Sequence, residues 1–265
     1  MALSTGHFRF GENWLSFSSL IDEPRIAEAA RGLQKLIPAE DLEEKRFLDI
    51  GCGSGLSMVA ALRLGAAEVV GTDIDRDSVL AARDVLSRYA APRAWDLRHC
   101  DVFDMEPSVY GTFDVVYSWG VLHHTGDLWN ALIKAGTFVK PNGLLVLGLY
   151  HKTPVCWFWR REKHFYANAS AWQQRVVRSL YKGVLALRLI MVGQHSNRYS
   201  RGMDRDHDVH DWLGGYPYES TLPQEVVCQL ESNGFAIEKV LENCGGCLGL
   251  LGTGCDEYVA RRNHV

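Results

Sequence analysis

The chain has 265 residues, 47% of them hydrophobic and 23% charged, a balance that describes an ordinary globule with one α/β domain plus an insertion, or one and a half domains. No stretch reaches the ~18 uninterrupted apolar residues of a membrane span, and Met1 to Leu20 lacks the basic segment and apolar run of a secretory signal. Seven cysteines, an odd number, point to free thiols in a reducing compartment, with the cytoplasm as the default. The formal net charge of −4 conceals an asymmetry: Lys152 to Arg205 holds eleven Lys or Arg against Glu162 and Asp204, a local +9 that leaves −13 elsewhere. A basic insert on an acidic body suits an anionic substrate, a phosphate-bearing partner or a membrane surface, and equally a solvated helical lid.

Residues 1–45 read as an N-terminal helical flap. Phe8, Phe10, Trp14, Phe17 and Leu20 either fold over a ligand cleft or cover the core. Asp22-Glu23-Pro24-Arg25 has the form of a helix start, Ile26, Ala29, Ala30, Leu33 and Leu36-Ile37 recur at helical spacing, and Pro38 ends the pattern. From residue 46 to 150 strands and helices alternate, which implies a parallel sheet with helices on both faces. The strands are Phe47 to Ile50, Glu68 to Thr72, a more polar edge strand at Ala94 to His99, Phe113 to Ser118 and Leu144 to Tyr150. Helices are expected at Leu56 to Leu64, Arg76 to Tyr89 and Trp129 to Phe138, the last closed by a turn at Lys140-Pro141-Asn142-Gly143.

Residues 151–222 break the alternation and form a basic helical insertion. Ala171 to Val192 reads as a long helix with Trp172, Val176, Leu180, Val184, Leu187 and Met191 along one stripe. Such a stripe fits a membrane interface or packing on the sheet domain alike. Residues 223–265 return to the sheet, with a helix from Pro223 to Ser232 and strands at Phe235 to Leu241 and Asp256 to Arg261. Between these strands, Cys244-Gly245-Gly246-Cys247 lacks a second C-x-x-C partner and reads as ordinary hairpin thiols.

The stretch with the most chemistry is Phe47-Leu48-Asp49-Ile50-Gly51-Cys52-Gly53-Ser54-Gly55. An apolar strand runs into a glycine turn where backbone can approach a ligand and the next helix presents its first amides. A dinucleotide-binding turn is spaced G-x-G-x-x-G/A, whereas here the third glycine comes one residue early and Asp49 stands in the strand end. This D-x-G-x-G-x-G form resembles the first motif of class I S-adenosylmethionine (SAM)-dependent methyltransferases. The resemblance extends over roughly residues 45 to 150 and, more weakly, 223 to 262. It implies a seven-stranded, mostly parallel doubly wound α/β sheet with a helical insertion after strand five. It also implies a cofactor, SAM, leaving as S-adenosylhomocysteine (SAH), and methyl transfer to oxygen, nitrogen or carbon of a small molecule.

Under that resemblance, Gly51, Gly53 and Gly55 approach the cofactor's amino-acid part and ribose, and Asp49 orders the loop or meets its ammonium group. Asp73, with Ile74 beside it, is placed to accept both ribose hydroxyls, since a carboxylate takes two donors at once. Asp101-Val102 falls where the family holds an acid near the adenine amino group, and Trp119-Gly120 follows strand four beside the amino-acid portion. His123 and His124 stand at the cleft mouth as candidate bases. His207, His210 and Asp211 would share one helical face, offering a base or a divalent-metal set, or a polar helix end capped by acids; no zinc signature is matched, and no metal is expected. Tyr150, Tyr216 and Tyr218, with Asp211, would line an acceptor pocket. The basic insert and its aromatics suit an anionic or part-apolar acceptor. Ser118-Trp119-Gly120-Val121 lacks the Asn/Asp-Pro-Pro-aromatic form of nucleobase-methylating enzymes, although the insert keeps RNA open. A SAM-binding subunit without turnover would share every motif. Peripheral membrane contact stays open, and oligomeric state is not readable.

Overall fold

The computed structural model describes residues 8–91, 94–192, 202–245 and 249–264. Its strands are β1 (Arg46–Ile50), β2 (Glu68–Asp73), β3 (Trp95–His99), β4 (Phe113–Trp119), β5 (Val139–Tyr150), β6 (Phe235–Leu241) and β7 (Cys255–Arg262). They form one seven-stranded sheet in the order 3-2-1-4-5-7-6. The first five strands are parallel, and β7 runs antiparallel to both β5 and β6. The helices are α1 (Phe10–Ser18), α2 (Glu23–Gln34), α3 (Leu56–Arg63), α4 (Arg76–Tyr89), α5 (Pro107–Tyr110), α6 (Leu128–Thr137), α7 (Cys156–Asn168), α8 (Ala171–Val192), α9 (Arg205–Gly214) and α10 (Pro223–Ser232).

Successive strand residues point to opposite faces, so the sheet divides its apolar residues between two cores. Phe47, Val69, Val115 and Val146 face α1 to α4 and meet Phe17, Leu33, Met58 and Val85. Leu48, Val70, Val116 and Leu145 face the other way, onto Leu132 of α6 and Leu230 of α10. A third, aromatic cluster lies under the insertion and joins Phe8 to Trp159, Tyr166, Val209, Leu213 and Tyr218. The helix entry at Asp22 forms as its sequence dictates, with the carboxylate accepting the Arg25 amide at 3.0 Å and Pro24 in the first turn.

The polar third strand takes the sheet edge. Strand five, by contrast, begins at Val139, five residues before the expected start. Pairing with β4 passes from Phe113↔Val139 directly to Val115↔Leu144. The expected turn at Lys140–Gly143 is therefore an irregularity inside a longer strand, with Asn142 in the left-handed region. On α8, Val177, Tyr181 and Leu185 pack inward, while the row from Trp172 to Leu187 faces outward; packing of that stripe on the sheet domain is thus overturned. The side chain of Met191, and residues Gly246 and Cys247 of the hairpin pair, lie outside the described residues. The six described cysteines are free thiols.

The N-terminal aromatics divide the two roles between them: Phe17 is fully buried in the core, whereas Phe10 and Trp14 border a cavity. Truncating Phe17 to alanine removes a full ring from a close-packed site and should cost about 3–5 kcal/mol. The expected readout is a lower urea midpoint, and an unchanged midpoint would show that α1 does not anchor on this core.

Candidate active site

The strand order reverses between β1 and β4, and in open parallel sheets the crevice beyond the carboxyl ends of such strands is where ligands lie. A cavity of about 1050 Å³ opens there. Its floor is the turn out of β1 from Gly51 to Ser54, while predicted Gly55 lies off the cavity lining and approaches Ala82 of α4. Gly51, Gly53 and Gly55 all have positive φ, at 77°, 52° and 74°, a region that side chains other than glycine enter at a cost. Space is tight as well as twisted: a Cβ on Gly53 would stand 2.9 Å from the Trp14 ring.

Two carboxylates flank this loop. Asp73, at the tip of β2, accepts the Gly53 amide at 3.0 Å through Oδ2 and the Asp75 amide at 2.8 Å through Oδ1. Each oxygen keeps a second lone pair. Burial pushes its carboxyl up to about 6, and those two amides oppose the rise. Asp49 is buried, and its Oδ2 has no hydrogen-bond partner. Burial first, and then the neighbouring Asp73, push it up to about 8. Asp49 is one of the residues lining the cavity, a position that favours a cationic or hydrogen-donating ligand group. Farther along the rim, Asp101 accepts the Phe103 amide at 3.1 Å and caps a short turn containing Val102. Trp119 donates its indole N–H to Glu257 at 3.1 Å. Ile74, Gly120 and Val102 also line the cavity.

The opposite end is built by the insertion and by strand ends. His124, Tyr150, Asp211 and Trp212 line it. The His124 Nδ1 lies 2.7 Å from the Pro217 carbonyl oxygen. A carbonyl only accepts, so Nδ1 carries a proton and donates it there. Asp211 accepts from Asn13 of α1 at 2.7 Å, and burial holds its carboxyl well above the usual range despite that bond.

The remaining predicted residues sit elsewhere. His123 is fully buried outside the cavity lining; its ring stacks on Tyr150 at 3.8 Å, its Nδ1 accepts the Tyr150 amide, and burial lowers its basicity. His207 turns to Asp204 at 2.8 Å and Ser16 at 3.3 Å. His210 meets the Tyr166 hydroxyl at 2.8 Å, and burial pushes its imidazole down to about 4. The shared face of α9 is therefore split among three neighbours, and among the described residues no group of three or more His, Cys, Asp or Glu gathers as a metal site. Tyr218 is buried beside Cys156 and Thr253, and Tyr216 packs near His164; neither lines the cavity.

Sequence reading missed Trp212, Glu257 and Lys163. Lys163 is fully buried, with Nζ 3.7 Å from the Trp212 ring centroid and 5.3 Å from that of Tyr218. Burial pushes its ammonium down to about 7, with Glu162 opposing. Its only signal in the sequence is a cation one helical repeat from buried Trp159 and Tyr166, whose apolar spacing it continues.

Asp49 makes the pH dependence testable. A carboxyl whose folded pKa is raised retains a proton that the unfolded chain has already released, so stability falls as pH rises between the two values. For Asp49 that window runs from the model-peptide value of 3.8 to about 8. Asp49→Asn should therefore gain thermal stability over the parent from about pH 5 to about pH 8. Differential scanning fluorimetry reads this directly, and a constant difference across that range would reject the buried, unpaired carboxylate.

Residues 48–145 match the family model described as a methyltransferase domain. A ubiquinone biosynthesis O-methyltransferase from Mesorhizobium japonicum is 33% identical over 121 residues, 43% of this chain and 45% of that protein. The chain thus spans under half the length of that relative. Among solved structures, an S-adenosylmethionine dependent methyltransferase from Mesorhizobium loti is 19% identical, with a TM-score of 0.54 over 88% of this chain and 96% of that one. Magnesium protoporphyrin IX methyltransferase from Synechocystis PCC 6803 is 15% identical, with a TM-score of 0.53 over 90% and 81%. At such identities the likeness establishes the fold.

Proposed function

We propose that this chain, whose fold is that of the class I SAM-dependent methyltransferases, moves a methyl group from SAM to oxygen, nitrogen or carbon of a small-molecule acceptor. The observation that carries the reading is buried Asp49, with one carboxylate oxygen unpartnered, lining the switch-point cavity one strand from Asp73. A buried carboxylate without a partner is costly unless a cation meets it, and the ammonium of a bound amino acid is such a cation. Asp73 has lone pairs left for two vicinal ribose hydroxyls, and Asp101 and Val102 border the place for an adenine. The glycine turn leaves backbone amides and no Cβ against the ligand.

When bound, SAM supplies an activated methyl on its sulfonium, so the hard chemistry belongs to the cofactor. The chain's own task is to align the acceptor, exclude water and take up a proton where the acceptor has one to lose. Phe10 and Trp14 of α1 screen the cavity from solvent. His124, oriented through its Nδ1 bond to Pro217, is the imidazole of the cavity wall and the candidate proton acceptor. Tyr150, Trp212 and Asp211 supply an aromatic and acidic acceptor end. That mixture supports a part-apolar acceptor carrying a polar group.

Titration calorimetry with SAM, together with chromatographic detection of SAH on incubation with candidate acceptors, tests the reading. Asp73→Ala should weaken SAM binding by about 1.5–3 kcal/mol for each charged hydrogen bond lost, roughly tenfold or more. Binding of NAD in place of SAM would reject the cofactor. Binding of SAM with no SAH formed from any acceptor class would reduce the protein to a cofactor-binding subunit.

A further inference from the structure

The insertion presents a face that no other described part of the chain covers. Along α8, Trp172, Val176, Leu180, Val184 and Leu187 are 65%, 47%, 67%, 48% and 57% exposed. Their spacing of four, four, four and three residues keeps them on one side of the helix. The row spans fifteen residues, about 22 Å at the helical rise. On α7, Trp157 is 63% exposed as well. Single exposed apolar side chains are ordinary; a row of five along one helix face, headed by Trp172, is a contact surface.

Charge selects what it contacts. From Cys156 to Val192 the chain carries seven Lys or Arg and a single acid, Glu162. Lys163 is buried and Lys182 is paired with Asp206 at 2.6 Å, whereas Arg161 and Arg175 are exposed. The Arg161 guanidinium stands 5.7 Å from the Trp157 ring centroid, which puts cation and indole together on α7. A second copy of this chain would set these arginines against themselves across a two-fold axis. A nucleic acid would satisfy the arginines and leave the apolar row against water. A bilayer with anionic headgroups satisfies both, taking the indoles and leucines to the acyl boundary and the guanidiniums to the phosphate level.

We propose that α7 and α8 form a peripheral docking face for an anionic lipid bilayer, lying in the interface plane. Among the described residues no helix is long and apolar enough to cross a membrane, so the contact is one of lying on the surface. It is independent of the cofactor reading, since none of these residues lines the cavity.

The test is co-sedimentation of the full chain with large vesicles of phosphatidylcholine alone or mixed with phosphatidylglycerol. Binding is expected on the mixed vesicles, weakening as salt is raised, with little on phosphatidylcholine alone. Leu180→Ser combined with Leu187→Ser should lower vesicle affinity more than about tenfold, with SAM binding and thermal midpoint unchanged. Arg161→Gln and Arg175→Gln should each weaken it about fivefold, and they test the proposal should the serine variant unfold. Absence of binding to the mixed vesicles would overturn it, as would equal binding to neutral ones. So would a stable dimer by light scattering that the serine substitutions dissociate.

Discussion

Two buried acids at the switch point set the terms for the rest of the site. Asp49 and Asp73 stand at the ends of neighbouring strands, and each is pushed toward its neutral form by burial. Asp73 is held in place by an amide of the glycine turn and one of its own loop, so the turn, the strand tips and the start of α3 form one hydrogen-bonded piece. Asp49 lacks that support and raises the energy of the empty fold. Cys52, between the first two glycines, feels the same field, and its thiol is driven up by burial and then by both carboxylates. Interactions that neutralise the pair are stronger here than in water because the surroundings screen them little.

The parts legible in the sequence are those whose cause is local. A strand, a glycine turn and a helix start are all written within Phe47 to Gly55, and Asp73 and Asp101 follow at the ends of the next two strands. All of the residues from Asp49 to Gly53, with Asp73, Asp101, Trp119 and Gly120, line one cavity. Where the sequence fell silent, the deciding partner was remote. His123 and His124 are adjacent on a single short turn, yet Tyr150 takes one ring into the interior and the Pro217 carbonyl holds the other at the cavity. Helical spacing put His207, His210 and Asp211 on one face, but that face is shared by α1 and α7, and each residue found a different neighbour.

Amphipathic period has a related blind spot. In α8 it marks a helix and an apolar row without saying which way the row faces, because Val177, Tyr181 and Leu185 make a second apolar row. The inward choice fell to the row that meets Trp159 and Trp212, where aromatic edges already form a socket. Lys163 was hidden for the opposite reason. A lysine reads as solvated, and it is the remote rings of Trp212, Tyr218 and Tyr150, with the charge of Glu162, that offset its burial.

The cavity's two ends come from different stretches of chain. The end built on the glycine turn is assembled within a contiguous hundred or so residues, the same span that matches the methyltransferase domain, 48–145. The other end is borrowed from α1, α9 and the strand ends, pinned by Asn13 on Asp211 and by the Gly11 amide on Asp75. Substitutions in α9 can therefore reshape one end of the cavity while the glycine turn at the other keeps its backbone.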